Sequence, residues 1–392
     1  MIITTRQEAR FLSPEVEEKL REYHWRRNFE LFECLMNDED HGTKGGSPLP
    51  YIKNSSRSVV YYGNEFHGSY NHHNQINKLG DKYYFAWSNG ARNEEDAGQR
   101  ILIAESPDGK TWSDPWVILD MPEGSEWAHN CVALYADKSE MTVFIMTEET
   151  VHDETAVGMR RIRPDNAYID AYRSSDAHNW EKSFTFGTRV KWMFEAPRPT
   201  KAGAMLCVCT TQKEGPAILR WPGRDICAAP EYIFVPEPTG ASFPYGESTW
   251  YQTDAGRIYV FWRDESGSCR LYVNWSDDDG RSWSAPILTD IPDSMSRLYA
   301  GRLSDGRCFI VNNAIGNLLD RRPLALLVSP DGEVFNKVYM VNDDPLEMRR
   351  KGLLKANGSQ YPCCLIDDKK LLIAYDFNKE DIVCEVIETS FV

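Results

Sequence analysis

Titratable side chains stand directly before six short apolar segments of the sequence. They are His72 and His73, His129, Glu195 with Arg198, Glu247, Arg297 and Tyr361. One histidine or arginine at the start of a strand is usually a hydrogen-bonded scaffold residue. Six such positions are different, because titratable groups gathered in a single cleft are typical of a catalytic site. If the fold brings the six segments together, these residues predict a catalytic site.

A repeated turn motif indicates how the fold does this. Four segments have the pattern Ser-x-Asp followed by a Trp or Phe, and they begin at Ser106, Ser174, Ser276 and Ser329. Each stands between two strand-like segments. Their physical chemistry is local, since the Asp accepts backbone N–H bonds across a tight hairpin, a Gly supplies a positive φ, and the aromatic side chain packs between strands. The separations of 68, 102 and 53 residues predict a radial repeat in which one copy is missing.

The predicted fold is therefore an all-β propeller with six blades, whose inner strands begin near residues 72, 128, 195, 247, 297 and 361. In a propeller the innermost strands line the central axis, so the six titratable groups are expected to face one pocket. The strand at residues 57–62 should close the last blade against the C-terminal strands at residues 371–387. A seventh blade built partly from the N-terminal region is the alternative.

Two regions are expected along the chain. Residues 1–55 form a helical N-terminal extension and loop, because Ser13-Pro14-Glu15 is a helix start and residues 38–50 are rich in Gly, Asp and Pro. Residues 56–392 form the propeller domain.

The four turn motifs are Asp boxes, and on them the chain resembles the sialidase superfamily of β-propellers over roughly residues 56–392. The resemblance implies a glycosidase with a tyrosine nucleophile. Glu247 stands 16 residues before Arg263, as the catalytic Glu and the second Arg of the carboxylate-binding triad do in sialidases. Tyr361 resembles the nucleophile, and Asp96 occupies the place of the general acid. A neutral Tyr can attack beside a substrate carboxylate, Glu removes its proton, and Asp protonates the leaving oxygen.

The resemblance also implies a set of substrate-binding residues. Arginine forks bind a carboxylate at two points, and Arg322, with Arg321 beside it, is the candidate for the third Arg of the triad. The other predicted contacts to substrate come from the blade entries. They are Arg198, Arg297, His72 and Glu195.

The first blade departs from the sialidase pattern. The Arg-Ile-Pro signature is absent, and His72-His73-Asn74-Gln75-Ile76 stands in its place. This segment resembles a divergent propeller branch of rhamnosidase-like enzymes, lyases acting on rhamnosyl-glucuronate ends, and ulvan lyases. Such lyases use His and Tyr for proton transfer while cationic groups stabilise the uronate. His73 and His129 would then supply the base or the clamp, and Tyr361 the acid.

Three functions follow, in order of preference. The first is an exo-acting glycoside hydrolase that removes a terminal, acidic or deoxy sugar from an oligosaccharide. The second is a uronate-directed lyase on the same scaffold. The third is a non-catalytic glycan-binding propeller, because Asp boxes specify a fold and not a chemistry.

Composition excludes several other classes. The net charge of −15 repels nucleic acid and anionic membranes, and no apolar run approaches the ~20 residues needed to span a bilayer. The ten cysteines include no Cys-x-x-Cys pair and lie largely in apolar runs, which predicts reduced thiols and, with no secretory signal evident, a cytoplasmic location. His72, His73, His129 and Glu195 are side chains of types that ligate metal ions. Since no metal-binding motif accompanies them, neither a metal nor a cofactor is expected.

Overall fold

The computed structural model describes residues 49–137, 139–153, 159–162, 166–316 and 321–392. The predicted helices of the N-terminal extension lie outside these described residues. The described chain is almost entirely β-strand, in six antiparallel sheets arranged as the blades of a propeller.

The first three blades, each given from the innermost strand outward, use consecutive segments of the chain. Blade 1 contains β2 (Tyr70–Leu79), β3 (Lys82–Gly90), β4 (Arg100–Ser106) and β5 (Trp116–Leu119). Blade 2 contains β6 (Trp127–Ala136), β7 (Met141–Asp153), β9 (Tyr168–Ser174) and β10 (Glu181–Gly187), with β8 (Met159–Ile162) paired to β7. Blade 3 contains β11 (Val190–Trp192) and β12 (Arg198–Pro199), both paired to β13 (Met205–Thr211), then β14 (Gly215–Trp221) and β15 (Glu231–Phe234).

The last three blades complete the ring. Blade 4 contains β16 (Thr249–Gln252), β17 (Ile258–Trp262), β18 (Arg270–Ser276) and β19 (Ile287–Pro292). Blade 5 contains β20 (Tyr299–Arg302), β21 (Cys308–Asn312), β22 (Leu324–Ser329) and β23 (Lys337–Asn342). Blade 6 contains β24 (Ser359–Asp367), β25 (Lys370–Phe377), β26 (Asp381–Glu388) and the N-terminal strand β1 (Ser56–Tyr61), and a 3-10 helix (Thr389–Phe391) follows β26.

The ring closes by pairing the two ends of the propeller domain. β1 lies antiparallel to β26, with Ser58 opposite Cys384. Arg57 strengthens this closure, because its guanidinium donates to Glu385 at 2.9 Å, to Asp344 at 2.8 Å and to the Val341 carbonyl at 2.9 Å. The predicted closing strand and the preferred count of six blades are confirmed.

All four Asp boxes form between the third and fourth strands of their blades. In blade 4, Asp278 Oδ1 accepts the backbone N–H of Ser282 at 2.8 Å, Ser276 Oγ accepts that of Gly280 at 2.9 Å, and the Trp283 indole donates to the Gly280 carbonyl at 3.0 Å. Gly280 has φ +77°, and a Cβ there would lie 3.1 Å from Leu206 of blade 3. Boxes occur in blades 1, 2, 4 and 5, so the missing copy that the spacing predicted falls in blade 3.

The core lies between the blades. Each of five buried apolar clusters joins neighbouring blades, and the largest links blades 5, 6 and 1 through residues such as Phe309, Leu372 and Trp87. The nine cysteines in the described ranges are free thiols, eight of them buried. No helix in the described part of the chain has the length and apolar character of a membrane span.

The Asp-box hydrogen bonds predict a pH-dependent contribution to stability. Burial raises the pKa of Asp278, but the hydrogen bonds from Ser282 and Ser276 together outweigh it and lower this pKa to about 2 from 3.8. A carboxylate with a lowered pKa stabilises the fold above pH 3.8, and this contribution is lost as the pH falls towards 2. We expect Asp278→Ala to lower the free energy of unfolding by about 1 kcal/mol at pH 7, as for loss of a side-chain cap, and by less near pH 2.

Urea unfolding at several pH values measures this difference. Asp114→Ala, at an exposed aspartate outside the box, is the control and should change the midpoint little. A difference between Asp278→Ala and the parent chain that stays constant from pH 7 to pH 2 would contradict the expectation.

Candidate active site

Backbone irregularities turn the side chains of two inner strands towards the axis. The register of β2 against β3 shifts between His72 and Gln75, and that of β24 against β25 shifts between Gln360 and Cys363. His73 and Tyr361 lie in these bulges with φ of +58° and +54°. A positive φ is costly for a non-glycine residue, and bulges often re-aim side chains at functional sites.

The bulges bring three aromatic rings together. In a regular strand consecutive side chains point to opposite faces, yet the rings of His72 and His73 lie 4.5 Å apart. Their distances from the Tyr361 ring are 3.9 and 5.8 Å. The ring of Phe194, from blade 3, stacks on His73 at 5.1 Å. Strands of blades 1 and 6 therefore place His72, His73 and Tyr361 in one buried cluster.

Tyr361 is hydrogen-bonded to the predicted catalytic glutamate. Its hydroxyl donates to Glu247 Oε1, while Arg263 donates to Glu247 Oε2 and, at 3.3 Å, to the Tyr361 hydroxyl oxygen. Arg263 also pairs with Glu265. Tyr361, Glu247 and Arg263 are buried. Burial raises the pKa of Tyr361, against the opposing effect of Arg263 and Arg321, so the phenol needs a base to ionise at neutral pH.

His72 is held by a carboxylate. Its Nδ1 lies 2.7 Å from Asp376 Oδ2, and the same oxygen accepts the Asn74 side-chain amide at 2.9 Å. Burial, and then the charge of Lys379, lowers the pKa of both His72 and His73 well below 6.5. Both imidazoles are therefore neutral at neutral pH.

Two cations flank the Tyr361 ring. The Arg321 guanidinium lies 5.3 Å and the Lys379 ammonium 5.7 Å from its centroid. Lys379 also donates to Glu94 Oε2 at 2.5 Å, and Arg321 donates to the Gln360 side chain. Arg322, with Arg321 beside it, was the predicted third Arg of the carboxylate-binding triad, and the structure places Arg321 against Tyr361. Consecutive residues of an extended segment face opposite ways, so only one of the pair can contact this ring.

The loop before β4 carries acidic residues of different roles. Asp96, the predicted acid, accepts the backbone N–H and side-chain amide of Asn93 at 3.0 and 3.2 Å and so stabilises the loop itself. Glu94 in the same loop reaches the cluster, where its Oε1 lies 3.7 Å from His72 Nε2. Burial, followed by the neighbouring charges of Glu148 and Glu94, raises the pKa of Glu95 well above its ordinary value.

The remaining predicted residues occupy other parts of the channel. His129 Nδ1 lies 2.9 Å from Thr147 Oγ1, and burial lowers the pKa of His129 to about 4. The next residue in the same strand, Asn130, donates its side-chain amide to Glu148 at 2.5 Å. Among the described contacts, none joins His129 to Tyr361 or to the other two histidines.

Glu195 and Arg198 lie deeper in the channel. They pair at 2.9 Å and line a cavity of about 240 Å³ with Ile76, Cys363 and neighbouring residues. Ile76 and Cys363 follow the cluster residues along β2 and β24, so this cavity lies towards the opposite end of the channel. Arg297 is buried between the two regions and donates to the Asn74 carbonyl at 3.1 Å. The six entries therefore supply two groups of residues and not a single pocket.

Several residues of the cluster carry no local sequence signal. Lys379 and Asp376 belong to the end of β25 and the turn after it, and Glu94 belongs to a loop with three consecutive acids, Glu94, Glu95 and Asp96. The run of acids marks the loop as a candidate. Which of them faces the axis is decided by the fold.

The buried carboxyl group of Glu148 should make the stability of the protein depend on pH. Burial, opposed by the hydrogen bond from Asn130, raises the pKa of Glu148 from 4.5 to about 8. A carboxyl with a raised pKa contributes stability that is complete below pH 4.5 and is lost as the pH rises through 8. We expect the thermal midpoint to fall from pH 6 to pH 9, and to fall less in Glu148→Gln, which mimics the protonated acid. Glu123→Gln, at an exposed position, should keep the parent's pH profile, and equal profiles for all three proteins would contradict this assignment.

Comparison with known proteins places this geometry in a family. A sequence family described as BNR repeat-like domain matches residues 81–373. No protein of curated function matches the chain in sequence. Several solved structures share its fold, and three of them are 11–16% identical to it, a level that supports the fold alone.

One similar structure is described as a sialidase, with a TM-score of 0.61 and 16% identity over 90% of this chain and 34% of that one. The chain thus spans about a third of the length of that protein. The intramolecular trans-sialidase of Ruminococcus gnavus, in complex with oseltamivir carboxylate, has a TM-score of 0.63 at 13% identity, over 85% of this chain and 98% of that one. Trypanosoma rangeli sialidase, in complex with sialic acid, has a TM-score of 0.63 at 11% identity, over 88% of this chain and 60% of that one. The chain belongs to the BNR repeat-like domain family, and its fold is a β-propeller similar to that of these sialidases.

Proposed function

We propose that this protein is a glycoside hydrolase in which Tyr361 attacks the anomeric carbon of a terminal sugar and Glu247 accepts the phenolic proton. The glycosidic C–O bond breaks in the same step, and the leaving oxygen takes a proton from a carboxylic acid of the loop at residues 91–99, where burial raises the pKa of Glu95. Water then hydrolyses the bond between Tyr361 and the sugar. The observation that carries the proposal is the hydrogen bond from the buried Tyr361 hydroxyl to Glu247, with Arg263 donating to both. A weak nucleophile paired with a base that a third group orients is the arrangement that nucleophilic catalysis requires.

The electrostatics of the cluster support this chemistry. Desolvation disfavours a free phenolate, so proton transfer to Glu247 must accompany attack. Arg263 stabilises the negative charge on whichever oxygen carries it, because it contacts both oxygens of the pair. A neutral nucleophile also avoids repulsion by a negatively charged sugar.

The cations around Tyr361 support an acidic substrate. Lys379 is neutralised by Glu94, and Arg263 by Glu247 and Glu265. Among the described residues Arg321 pairs with no carboxylate and donates to the neutral amide of Gln360, so its charge can serve a substrate carboxylate. His72 and His73 stand where the sialidase resemblance expects an arginine, and we therefore propose an acidic or deoxy sugar other than sialic acid.

The loops around the cluster favour a terminal sugar. The loop at residues 91–99 contacts the loop at residues 343–358, since Glu94 N donates to the Leu353 carbonyl at 3.2 Å and Arg92 to the Lys351 carbonyl at 2.6 Å. We infer that these contacts restrict access to the cluster from one side. An internal sugar of a polysaccharide would need both sides open, so an exo-acting enzyme on oligosaccharides fits better.

Two substitutions test the proposed chemistry. A screen of aryl glycosides and acidic oligosaccharides, followed by reducing-end detection, identifies a hydrolysed substrate. On it we expect Tyr361→Phe and Glu247→Gln each to lower kcat/KM by about 10²-fold or more, because nucleophile and base are lost. Tyr62→Phe and Glu123→Gln, at exposed positions, are the matched controls and should retain activity.

The same measurement separates catalysis from binding. Full turnover by Tyr361→Phe would remove Tyr361 as the nucleophile. Glycan binding without turnover in the parent chain, retained in both variants, would instead identify a glycan-binding propeller.

A uronate lyase is the second candidate, favoured by the Asp376–His72 pair beside Tyr361. A neutral His72, held by Asp376 and 3.9 Å from the Tyr361 ring, is a competent base next to a phenol that can act as the acid. The products distinguish the two reactions, since a lyase leaves an unsaturated uronate that absorbs ultraviolet light. We expect uronate-terminated substrates to yield reducing ends without this absorbance. Its appearance, abolished by His72→Asn, would establish the lyase instead.

A further inference from the structure

We propose that His72, His73 and Glu94 bind a divalent transition-metal ion of the zinc type at the entry of blade 1. The sequence predicted no metal, because His72, His73, His129 and Glu195 lack the spacing of a known motif. The structure keeps His72 and His73 together and places His129 and Glu195 elsewhere. It brings Glu94 from a neighbouring loop to the two histidines. The proposal concerns ion binding and stands independently of the glycosidase reaction.

The ligand atoms converge on one position. Each of the three residues offers one, and all three atoms lie within 4.8 Å of one another. His72 Nε2 and Glu94 Oε1 are 3.7 Å apart. A zinc ion lies about 2.0–2.2 Å from imidazole nitrogen and carboxylate oxygen, so ligands on one ion are separated by roughly 3.5 Å. The three side chains need to move inward by about 1 Å or less.

The lone pair of His72 is oriented for coordination. Asp376 Oδ2 lies 2.7 Å from Nδ1, and the tautomer with its hydrogen on Nδ1 would donate to this oxygen and carry its lone pair on Nε2. Nε2 is fully buried and has no hydrogen-bond partner among the described residues. A carboxylate behind a histidine in this way is the usual outer contact of a metal-bound imidazole. His73 is fixed similarly, with Nδ1 3.0 Å from Ser88 Oγ.

Glu94 is anchored so that one oxygen faces the histidines. Lys379 holds Oε2 at 2.5 Å, while Oε1 accepts a longer bond from the Tyr70 hydroxyl at 3.3 Å. Oε1 is the oxygen nearest His72 Nε2. Two imidazoles and one carboxylate suit zinc, cobalt or nickel better than magnesium or calcium, which prefer oxygen ligands.

Nearby charges set the expected strength of binding. Glu94 and Asp376 favour a cation, whereas the buried Lys379, with Arg321 and Arg297 also close to the histidines, opposes it. We therefore expect a moderate affinity for zinc and a readily exchangeable ion. Three protein ligands leave a fourth position for water, as in open zinc sites.

Metal titration of the chelator-treated, full-length protein tests the proposal. We expect one equivalent of Co²⁺ to bind with a tetrahedral visible spectrum, and Zn²⁺ to displace it in calorimetry. His72→Asn and Glu94→Gln should each weaken binding about 10–100-fold. His67→Asn and Glu123→Gln, at exposed positions, are the controls and should bind as the parent does. Absence of saturable one-to-one binding up to millimolar cobalt, or equal affinity in His72→Asn, would overturn the proposal.

A measurement on the unsubstituted protein covers the case in which a buried-site variant does not fold. X-ray absorption of the cobalt-loaded protein counts the ligands directly. Two imidazoles with oxygen ligands are expected. A spectrum with one imidazole or none, or with sulfur from the cysteines, would place the ion elsewhere and refute the site.

Discussion

Closure of the ring is the constraint on which the rest of the structure depends. The pairing of β1 with β26, tied by Arg57 to Glu385 and Asp344, joins the two ends of the propeller domain. Closure brings β2 of blade 1 against β24 of blade 6. His72 and Tyr361 stand on these two strands, far apart in the chain, and their rings meet only because the first and last blades are neighbours.

Crowding at the axis then determines how the charged side chains behave. Inner strands supply polar groups to a space that excludes water, so each charge requires a partner. Glu247 with Arg263, and Glu94 with Lys379, meet this requirement close to Tyr361, and Glu195 with Arg198 meets it deeper in the channel. The same burial keeps His72 and His73 neutral and Tyr361 protonated. A protonated phenol beside a paired carboxylate, and two neutral imidazoles, thus follow from one physical cause.

The protein combines a sialidase-like fold with a different set of side chains at the axis. This is possible because the fold depends on the outer turns of the blades, whereas the site depends on their inner strands. The Asp boxes lie at outer turns and pack against the preceding blade, as Gly280 does against Leu206. The side chains at the axis are not constrained by these turns. Blade 1 can therefore carry His72 and His73 where the sialidase resemblance expects an arginine, while the ring of blades is unchanged.

The sequence by itself determined the repeat, the blade count and the closing strand, because Asp-box turns and strand patterns depend on contacts a few residues apart. The association of Tyr361 with Glu247 and Arg263 also followed from the sequence, through its resemblance to sialidases. Tertiary structure alone decided which neighbours face the axis: Arg321 rather than Arg322 contacts Tyr361, Glu94 joins the histidines while Asp96 caps its own loop, and His129 lies against Thr147. One bulged residue reverses the face to which a side chain points, and the bulges at His73 and Tyr361 have no signature in the local sequence. Lys379 and Asp376 reach the cluster only through ring closure, which is a property of the whole chain.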